Sequence, residues 1–176
     1  MTRIAPATAE DVPSVLGIEC GAFMRPWSHD ALLAETARPE SRFALAADGD
    51  RVLGYAVTRC YPDWAELCCI AVAADARRRG VGSLLLADAE ARAAERGAGR
   101  LLLEVHADNA AALAAYIGRG YVASGRRAGY YERPPGDAIL MELSLCGAVP
   151  VSASAASGGG GAALRQFESI SFMRFS

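Results

Sequence analysis

A basic, glycine-containing segment, RRRGVGSLLL, limits the folds that are open to this chain. The stretch before it, ELCCIAVAA, is apolar after its first residue and predicts a buried strand. The stretch after it, from Val81 to about Arg96, carries apolar residues at helical spacing and stops at Gly97. Because a glycine turn before a helix exposes backbone N–H groups, the segment predicts an anion site between a strand and a helix. A solvated basic loop is the alternative interpretation of the segment taken alone.

The segment differs from two common phosphate-binding loops. No Gly-Lys-Ser/Thr sequence follows it, which excludes a Walker loop. The third glycine of the dinucleotide fingerprint is also missing. If the loop binds phosphate, it therefore does so in another kind of fold.

Periodicity predicts the order α, α, β, β, β, α, β, α, β, β, with a further strand near residues 3–5. The predicted helices cover 12–23, 29–35, 81–96 and 110–119. The predicted strands cover 41–47, 51–60, 66–74, 100–107, 121–131 and 137–145. This order indicates an α/β protein of α+β topology with a mixed sheet.

The composition changes after residue 145. The stretch SASAASGGGGAA is typical of a flexible linker, and LRQFESISFMRFS is an aromatic, basic tip. We predict one domain over residues 1–145 and a linker with a short aromatic tail over residues 146–176. The tail is either disordered or a docking peptide.

Composition excludes several classes of function. The net charge of −2 gives no reason to expect a nucleic-acid partner, and no apolar run reaches the 18 residues of a membrane span. Five cysteines without metal-type spacing indicate free thiols in a reducing cytosol, and no metal site is expected. Cys68 and Cys69 are expected to be small core residues on opposite faces of their strand.

Three carboxylates stand out. Glu104 interrupts the apolar strand LLLEV, where it is either a functional group or a structural acid that holds a backbone or arginine partner. Glu66 begins the preceding strand and either acts with Glu104 or is an edge residue. Glu19 falls on the apolar face of the first helix; we expect it at the helix rim, and the alternative is a polar group beside a site.

Three blocks of sequence together resemble the GCN5-related N-acetyltransferase (GNAT) family. The basic glycine loop matches the family's Arg/Gln-x-x-Gly-x-Gly/Ala loop, and EVHADNAAALAAYIGRGY is similar to the segment that follows. The blocks RPWSHDAL and GRRAGYYERPPGDAILM resemble the RimI-like branch, the ribosomal-protein alanine N-acetyltransferases. The resemblance covers about residues 3–145.

The resemblance implies a mostly antiparallel mixed sheet with helices on both faces, and two splayed parallel strands that hold acetyl-CoA. In the family the loop wraps the pyrophosphate, the backbone of the preceding strand, often beside a β-bulge, binds the pantetheine arm, and an asparagine contacts that arm. The matching cofactor-binding residues are Ile70, Ala71, Val72, Arg77, Arg78, Arg79, Gly80, Val81, Gly82, Ser83 and Asn109.

The resemblance also assigns chemistry to individual residues. Glu104 is implied as the general base, with Glu66 as second choice, and Tyr116 as the acid that protonates the leaving thiolate; a core tyrosine is the alternative for Tyr116. Trp27, Tyr130 and Tyr131, with Glu66, are expected to line the groove for the acceptor. Arg126 and Arg127 are either structural or steer an acidic segment.

The predicted activity is transfer of acetyl from acetyl-CoA to the N-terminal α-amine of a protein, specifically a ribosomal small-subunit protein, in the cytoplasm. The alternatives are acetylation of small amines or lysine side chains, or a non-catalytic acyl-CoA-binding module. A further hypothesis is that the aromatic tip of the tail binds in the groove as a ligand of the same chain. Two departures, His106 where the branch has Arg and Gly136 where it has an acidic residue, bear on the choice of acceptor.

Overall fold

The computed structural model describes residues 1–145, and its elements follow the predicted order to within two residues at each boundary. The helices are α1 (Val12–Ala22), α2 (His29–Ala37), α3 (Val81–Glu95) and α4 (Ala110–Gly118). The strands are β1 (Arg3–Pro6), β2 (Ser41–Asp48), β3 (Arg51–Cys60), β4 (Ala65–Val72), β5 (Arg100–His106), β6 (Val122–Glu132) and β7 (Pro135–Ser144). The predicted linker and tail, residues 146–176, lie outside the described residues.

Side-chain caps fix the starts of the helices. The Asp11 carboxylate accepts hydrogen bonds from the backbone N–H and hydroxyl of Thr8 at 2.8 and 2.7 Å, just before α1. Ser28 Oγ accepts from the Ala31 N–H at 3.1 Å and caps α2. Asn109 caps α4, because its Oδ1 accepts from the Ala112 N–H at 3.1 Å.

The strands form one mixed sheet in the order β1-β2-β3-β4-β5-β7-β6. Every neighbouring pair is antiparallel except β4 and β5. These two parallel strands pair only at Ala65–Leu101 and Glu66–Leu102, and beyond that point they separate. The splayed parallel pair implied by the family resemblance is therefore present at the centre of the sheet.

Helices cover both faces of the sheet. On one face α3 and α4 pack on residues such as Leu67, Leu101 and Leu103, which are buried. On the other face α1 and α2 pack on a second cluster that includes Phe43 and Tyr55. Because β4 lies between the two layers, all eight of its residues are buried, as its continuous apolar sequence predicted.

A β-bulge interrupts β4 at Cys68. Val57 of β3 pairs with Cys69 and Thr58 pairs with Leu67, so Cys68 has no partner in the register. Both cysteines are buried and belong to the cluster beneath α1 and α2. The prediction that they point to opposite faces was therefore wrong, because the extra residue breaks the alternation of the strand.

The four described cysteines, Cys20, Cys60, Cys68 and Cys69, are free thiols, as predicted. Within residues 1–145 no helix is long and apolar enough to cross a membrane. The same residues contain no cluster of three or more His, Cys, Asp or Glu side chains that could hold a metal ion.

Gly54 should be intolerant of any side chain. A Cβ built there would lie 2.7 Å from the Ala71 carbonyl oxygen and 3.2 Å from Leu85 Cδ1 of α3. We expect Gly54→Ala to lower the free energy of unfolding by about 1–3 kcal/mol, because backbone or helix must shift. Urea denaturation followed by circular dichroism measures the change.

Gly17→Ala is the matched control. Gly17 lies in α1, and a Cβ there meets nothing within 4 Å, so the same substitution should raise stability by roughly 0.5–1 kcal/mol. Equal stability of Gly54→Ala and the wild type would contradict the close approach of α3 to β3.

Candidate active site

A cleft of about 380 Å³ lies where α3 begins, beside the end of β4. Its lining includes nine residues that the sequence predicted to bind the cofactor: Ile70, Ala71, Val72, Arg77, Arg78, Gly80, Val81, Gly82 and Ser83. The strand and the basic loop therefore form one continuous surface. The size and position of the cleft suit an elongated anionic ligand.

The loop adopts the backbone that an anion site needs. Gly80 is the N-cap of α3 and has a left-handed φ of +79°, which glycine adopts without strain. Arg78 is also left-handed, at φ +61°. Arg77 Nε donates to the Val72 carbonyl oxygen at 3.3 Å, which ties the loop to β4. The N-terminal turn of α3, where backbone N–H groups lack helical partners, therefore lines the cleft.

Two predicted cofactor residues do not line the cleft. Arg79 is exposed on the loop, and its charge reaches Asp75, whose pKa is lowered mainly by the hydrogen bond from Arg51. Asn109 caps α4. In their place the opposite wall is made by Ala111 and Ala115, one turn apart on α4. Sequence reasoning missed these two; their small size at a spacing of four residues was the available signal.

The splay of β4 and β5 leaves most of β4 without a strand partner on its β5 side. Pairing ends at Glu66–Leu102, so the residues from Leu67 to Val72 have no strand partner on that side. The β-bulge at Cys68 lies in the same stretch. An extended ligand could bind this edge by adding hydrogen bonds as a strand would.

Glu104 lies on β5 at the splay and is only 3% exposed. Its Oε1 is 3.1 Å from Arg127 Nη1 of β6. Burial raises the pKa of Glu104, against the charge of Arg127 and a hydrogen bond with Tyr130, which lower it. Glu104 therefore forms an ion pair with an arginine, as one of its two interpretations predicted. The same ion pair gives Arg127 a structural role. Arg126, in contrast, pairs with Asp137 at 2.6 Å.

Glu66 is a buried acid on the adjacent strand and not an edge residue, since it is 7% exposed. Burial raises its pKa from 4.5 to about 7, opposed by the charge of Arg59 and increased by that of Glu104. Glu66 and Glu104 both face away from the α3–α4 cluster, to which their strand neighbours belong. Two carboxylates therefore share one face of the sheet where its centre opens.

Tyr116 lies on α4 and is completely buried. Its ring contacts that of Tyr121 with centroids 5.5 Å apart. Burial raises the pKa of the Tyr116 phenol well above its usual value, and Tyr121, Cys69 and Tyr131 add to the increase. A tyrosine phenol is already protonated at neutral pH at its usual pKa near 10, so the raised pKa makes Tyr116 a weaker acid. Its complete burial in the α3–α4 cluster also agrees with the alternative of a core tyrosine.

Aromatic residues from two parts of the chain approach the carboxylates. Arg127 packs over the Tyr130 ring at 5.3 Å, and Arg59 packs over Trp27 at 5.9 Å. The segment that carries Trp27 is joined to β6 by an ion pair of 2.6 Å between Arg25 and Glu132. The predicted acceptor residues thus lie on two walls, with the α1–α2 loop on one side and β6 on the other.

The two departures from the family pattern, His106 and Gly136, are in contact. A Cβ at Gly136 would lie 2.4 Å from Cε1 and Nε2 of His106, so only glycine leaves room for the imidazole. His106 stacks on Tyr131 with centroids 5.0 Å apart, and its Nδ1 accepts from the Asp108 N–H at 3.1 Å. Tyr131, which was predicted to line the acceptor groove, is buried, at 4% exposure.

Glu19 is completely buried, so its predicted place at the helix rim was wrong. Its Oε1 accepts from the Trp27 N–H at 2.7 Å, and its Oε2 accepts from the Tyr55 hydroxyl. Burial raises its pKa from 4.5 to about 7, against the hydrogen bonds of Trp27 and Cys69. The α1–α2 loop folds over the helix face, which periodicity alone cannot indicate.

Comparison with known proteins gives a consistent result. A model of the Acetyltransferase (GNAT) family matches residues 12–121. The chain is 36% identical over 147 residues to a protein of Salmonella typhimurium named [ribosomal protein bS18]-alanine N-acetyltransferase, covering 82% of this chain and 99% of that protein. It is 33% identical over 144 residues to N-alpha-acetyltransferase RimI of Mycobacterium tuberculosis, covering 78% and 89% of the two chains.

Solved structures agree with the sequence comparison. The crystal structure of the ribosomal-protein-S18-alanine N-acetyltransferase from Escherichia coli superposes with a TM-score of 0.77 at 31% identity, over 82% of this chain and 94% of that chain. Ard1 from Thermoplasma volcanium has the same fold, with a TM-score of 0.76 at 24% identity over 82% and 97% of the two chains. The mixed sheet with helices on both faces is thus the fold of these relatives.

Glu66 should make stability depend on pH. Its pKa is 4.5 when exposed and about 7 in the fold, so the folded state binds the proton more tightly. Its contribution to stability is complete below pH 4.5 and is lost as pH rises through 7. Relative to the wild type, Glu66→Gln should gain up to about 3 kcal/mol of unfolding free energy between pH 4.5 and 8.

Urea denaturation of both proteins across this pH range measures the difference. Glu10→Gln is the control, because Glu10 is an exposed carboxylate and its removal should give a difference that varies little with pH. A stability difference for Glu66→Gln that is equally flat would contradict the buried, protonated acid.

Proposed function

Because the chain belongs to the GNAT acetyltransferase family, we propose that it acetylates the N-terminal α-amine of a ribosomal small-subunit protein. The chain is an acetyl-CoA-dependent N-acetyltransferase. Acetyl-CoA supplies a thioester, whose carbonyl carbon the acceptor amine attacks. The acceptor follows from the relatives' names, which specify the alanine of ribosomal protein bS18. Cytoplasmic location is part of the same proposal.

One observation carries the proposal. The pairing of β4 with β5 stops at Glu66–Leu102, and two buried carboxylates stand at that opening. The cleft at the start of α3 begins with Ile70 of the same strand. The residues proposed to bind the cosubstrate therefore begin on β4, and the two carboxylates proposed to handle the amine proton lie on β4 and the adjacent β5.

The described residues fit the cosubstrate. The N–H groups at the start of α3, with Arg77 and Arg78, would bind its pyrophosphate, and the unpaired edge of β4 from Ile70 to Val72 would bind its extended arm. Arg79 would contribute charge at the rim, and Asn109 would contact the arm in addition to capping α4. The small residues Ala111 and Ala115 leave space for the arm opposite β4.

Glu104 is the base in this proposal, and Glu66 the second candidate. An α-amine has a pKa near 8, so a useful fraction is neutral at pH 7 and one carboxylate, acting directly or through water, suffices. Arg127 and Tyr130 would orient the Glu104 carboxylate. Tyr116, whose phenol carries its proton at neutral pH, would give that proton to the departing thiolate.

The acceptor would lie between the two aromatic walls. Trp27 and Tyr130 can contact a short extended segment, and Tyr131 supports Tyr130 at a centroid distance of 5.1 Å. The two buried carboxylates favour a cationic amine in this groove. We further propose that residues 146–176 are a linker and tail that could occupy the groove; unchanged peptide affinity and turnover after trimming at Leu145 would contradict this.

The first prediction concerns the acceptor. Mass spectrometry of short peptides incubated with the protein and acetyl-CoA should detect acetyl only on free α-amines, with Ala-, Ser- and Met-starting peptides compared. N-terminally blocked peptides with an internal lysine, and small amines, are the controls. Transfer to small amines alone would contradict the peptide groove. No transfer with acetyl-CoA still bound would favour a binding module.

The second prediction concerns the base. Glu104→Gln should lower kcat about 100-fold at pH 7. The Kd for acetyl-CoA should change little, since Glu104 does not belong to the lining of the cleft. The decrease in kcat relative to the wild type should become smaller above pH 8, where most of the amine is already neutral. Steady-state kinetics from pH 6 to 9 measure this.

Arg78→Ala is the matched contrast to Glu104→Gln. Because Arg78 lines the cleft, its loss should raise the Kd for acetyl-CoA, and more so at low salt. An unchanged rate in Glu104→Gln would transfer the role of base to Glu66.

A further inference from the structure

Glu19 is a buried acid that the chemistry above does not use. It is 0% exposed, and burial raises its pKa to about 7. The titratable groups that face it are Tyr55 of β3 and Cys69 of β4; neither is a cation. An apolar side chain at this position would avoid the desolvation of a carboxylate, so its hydrogen bonds must explain its position.

Those hydrogen bonds join three separate elements. Oε1 accepts from the backbone N–H of Trp27, at 2.7 Å, in the loop after α1. Oε2 accepts from the hydroxyl of Tyr55, which is itself 3.2 Å from Cys69 Sγ. Cys69 follows the β-bulge and directly precedes Ile70, the first strand residue of the cosubstrate cleft. One carboxylate therefore connects the acceptor wall to the strand that borders the cleft.

Two other contacts of the Trp27 segment are weaker or more exposed. Arg25 and Glu132 form their ion pair with both side chains more than 60% exposed, and such pairs contribute little in water. Arg59 packs over the Trp27 ring, a contact that orients the ring and leaves the backbone unconstrained. The bond to Glu19 joins the Trp27 backbone to a completely buried side chain of the protein interior.

We propose that Glu19 is a positioning residue for acceptor binding, which holds the Trp27 segment against β3 and β4 through the reach of its side chain. The proposal rests on the function proposed above, because Trp27 is assigned to the acceptor groove. It requires a hydrogen-bond acceptor of this length and does not require a negative charge. It therefore differs from a role in proton transfer.

Two substitutions of Glu19 distinguish the effect of its side-chain length from the effect of its negative charge. Glu19→Gln keeps the length and an oxygen that can accept from Trp27, and its amide can donate to the Tyr55 oxygen. Glu19→Asp keeps the charge but is shorter by one methylene, about 1.5 Å, which would stretch the 2.7 Å bond beyond hydrogen-bond distance. The KM for an acceptor peptide should rise about 10-fold in Glu19→Asp and change little in Glu19→Gln.

The KM for acetyl-CoA should change little in both variants. Val15→Ala is the matched structural control, because Val15 is fully buried one turn earlier on the same face of α1 and belongs to the same cluster. It should lower the melting temperature without changing the KM for the peptide. A loss of activity in Glu19→Gln with retention in Glu19→Asp would overturn the proposal in favour of a role for the charge. Equal effects of Glu19→Asp and Val15→Ala on both KM values would contradict the proposal, because they would show that Glu19 contributes only to packing.

A second measurement does not depend on activity. The chain has two tryptophans, so in a Trp64→Phe background the fluorescence comes from Trp27. Glu19→Asp should make Trp27 more accessible to acrylamide quenching, whereas Glu19→Gln and Val15→Ala should not. Unchanged quenching in Glu19→Asp would overturn the proposal. Absence of peptide acetylation by the wild type would instead count against the proposed function, and the quenching result would still decide whether Glu19 holds the loop.

Discussion

The arrangement of the site depends on the brief pairing of the two parallel strands. β4 and β5 are joined at only two positions, Ala65–Leu101 and Glu66–Leu102, before they separate. Unpaired backbone groups inside a protein are unfavourable, so a strand edge opened in this way needs another partner. An extended ligand is such a partner, and the cleft at the start of α3 continues the same edge. At this opening Glu66 and Glu104 lie on the same face of the sheet.

Burial governs the electrostatics at this opening. Glu66, Glu104 and Glu19 all have raised pKa values with desolvation as the largest cause, and Tyr116 is affected in the same direction. Their partners differ. Glu104 has the guanidinium of Arg127, Glu66 is influenced by Arg59, and Glu19 has only neutral donors. The three glutamates therefore lie in different electrostatic environments, which agrees with the different roles proposed for them.

Contacts between side chains explain the two departures from the family pattern, His106 and Gly136. A side chain at Gly136 would overlap the His106 ring, and that ring in turn stacks on Tyr131. His106 and Gly136 therefore act as one feature that packs against Tyr131. Taken separately in the sequence they are two unrelated differences, and only the pairing of β5 with β7 brings them together, since His106 pairs with Ala138 near Gly136.

Local signals in the sequence determined the elements, their order and the anion loop. Caps such as Ser28 and Asn109, the glycine at position 80 and the apolar run of β4 act over a few residues, so a linear reading detects them. Only the tertiary structure decided the partner of Glu104, the burial of Glu19 and the common face of Cys68 and Cys69. Glu104 meets Arg127 because β6 approaches β5 across β7. Glu19 is buried because the Trp27 segment folds over α1. Cys68 and Cys69 share a face because one residue of β4 is unpaired in the ladder with β3. Each depends on contacts between residues far apart in the chain or on register, to which periodicity is insensitive.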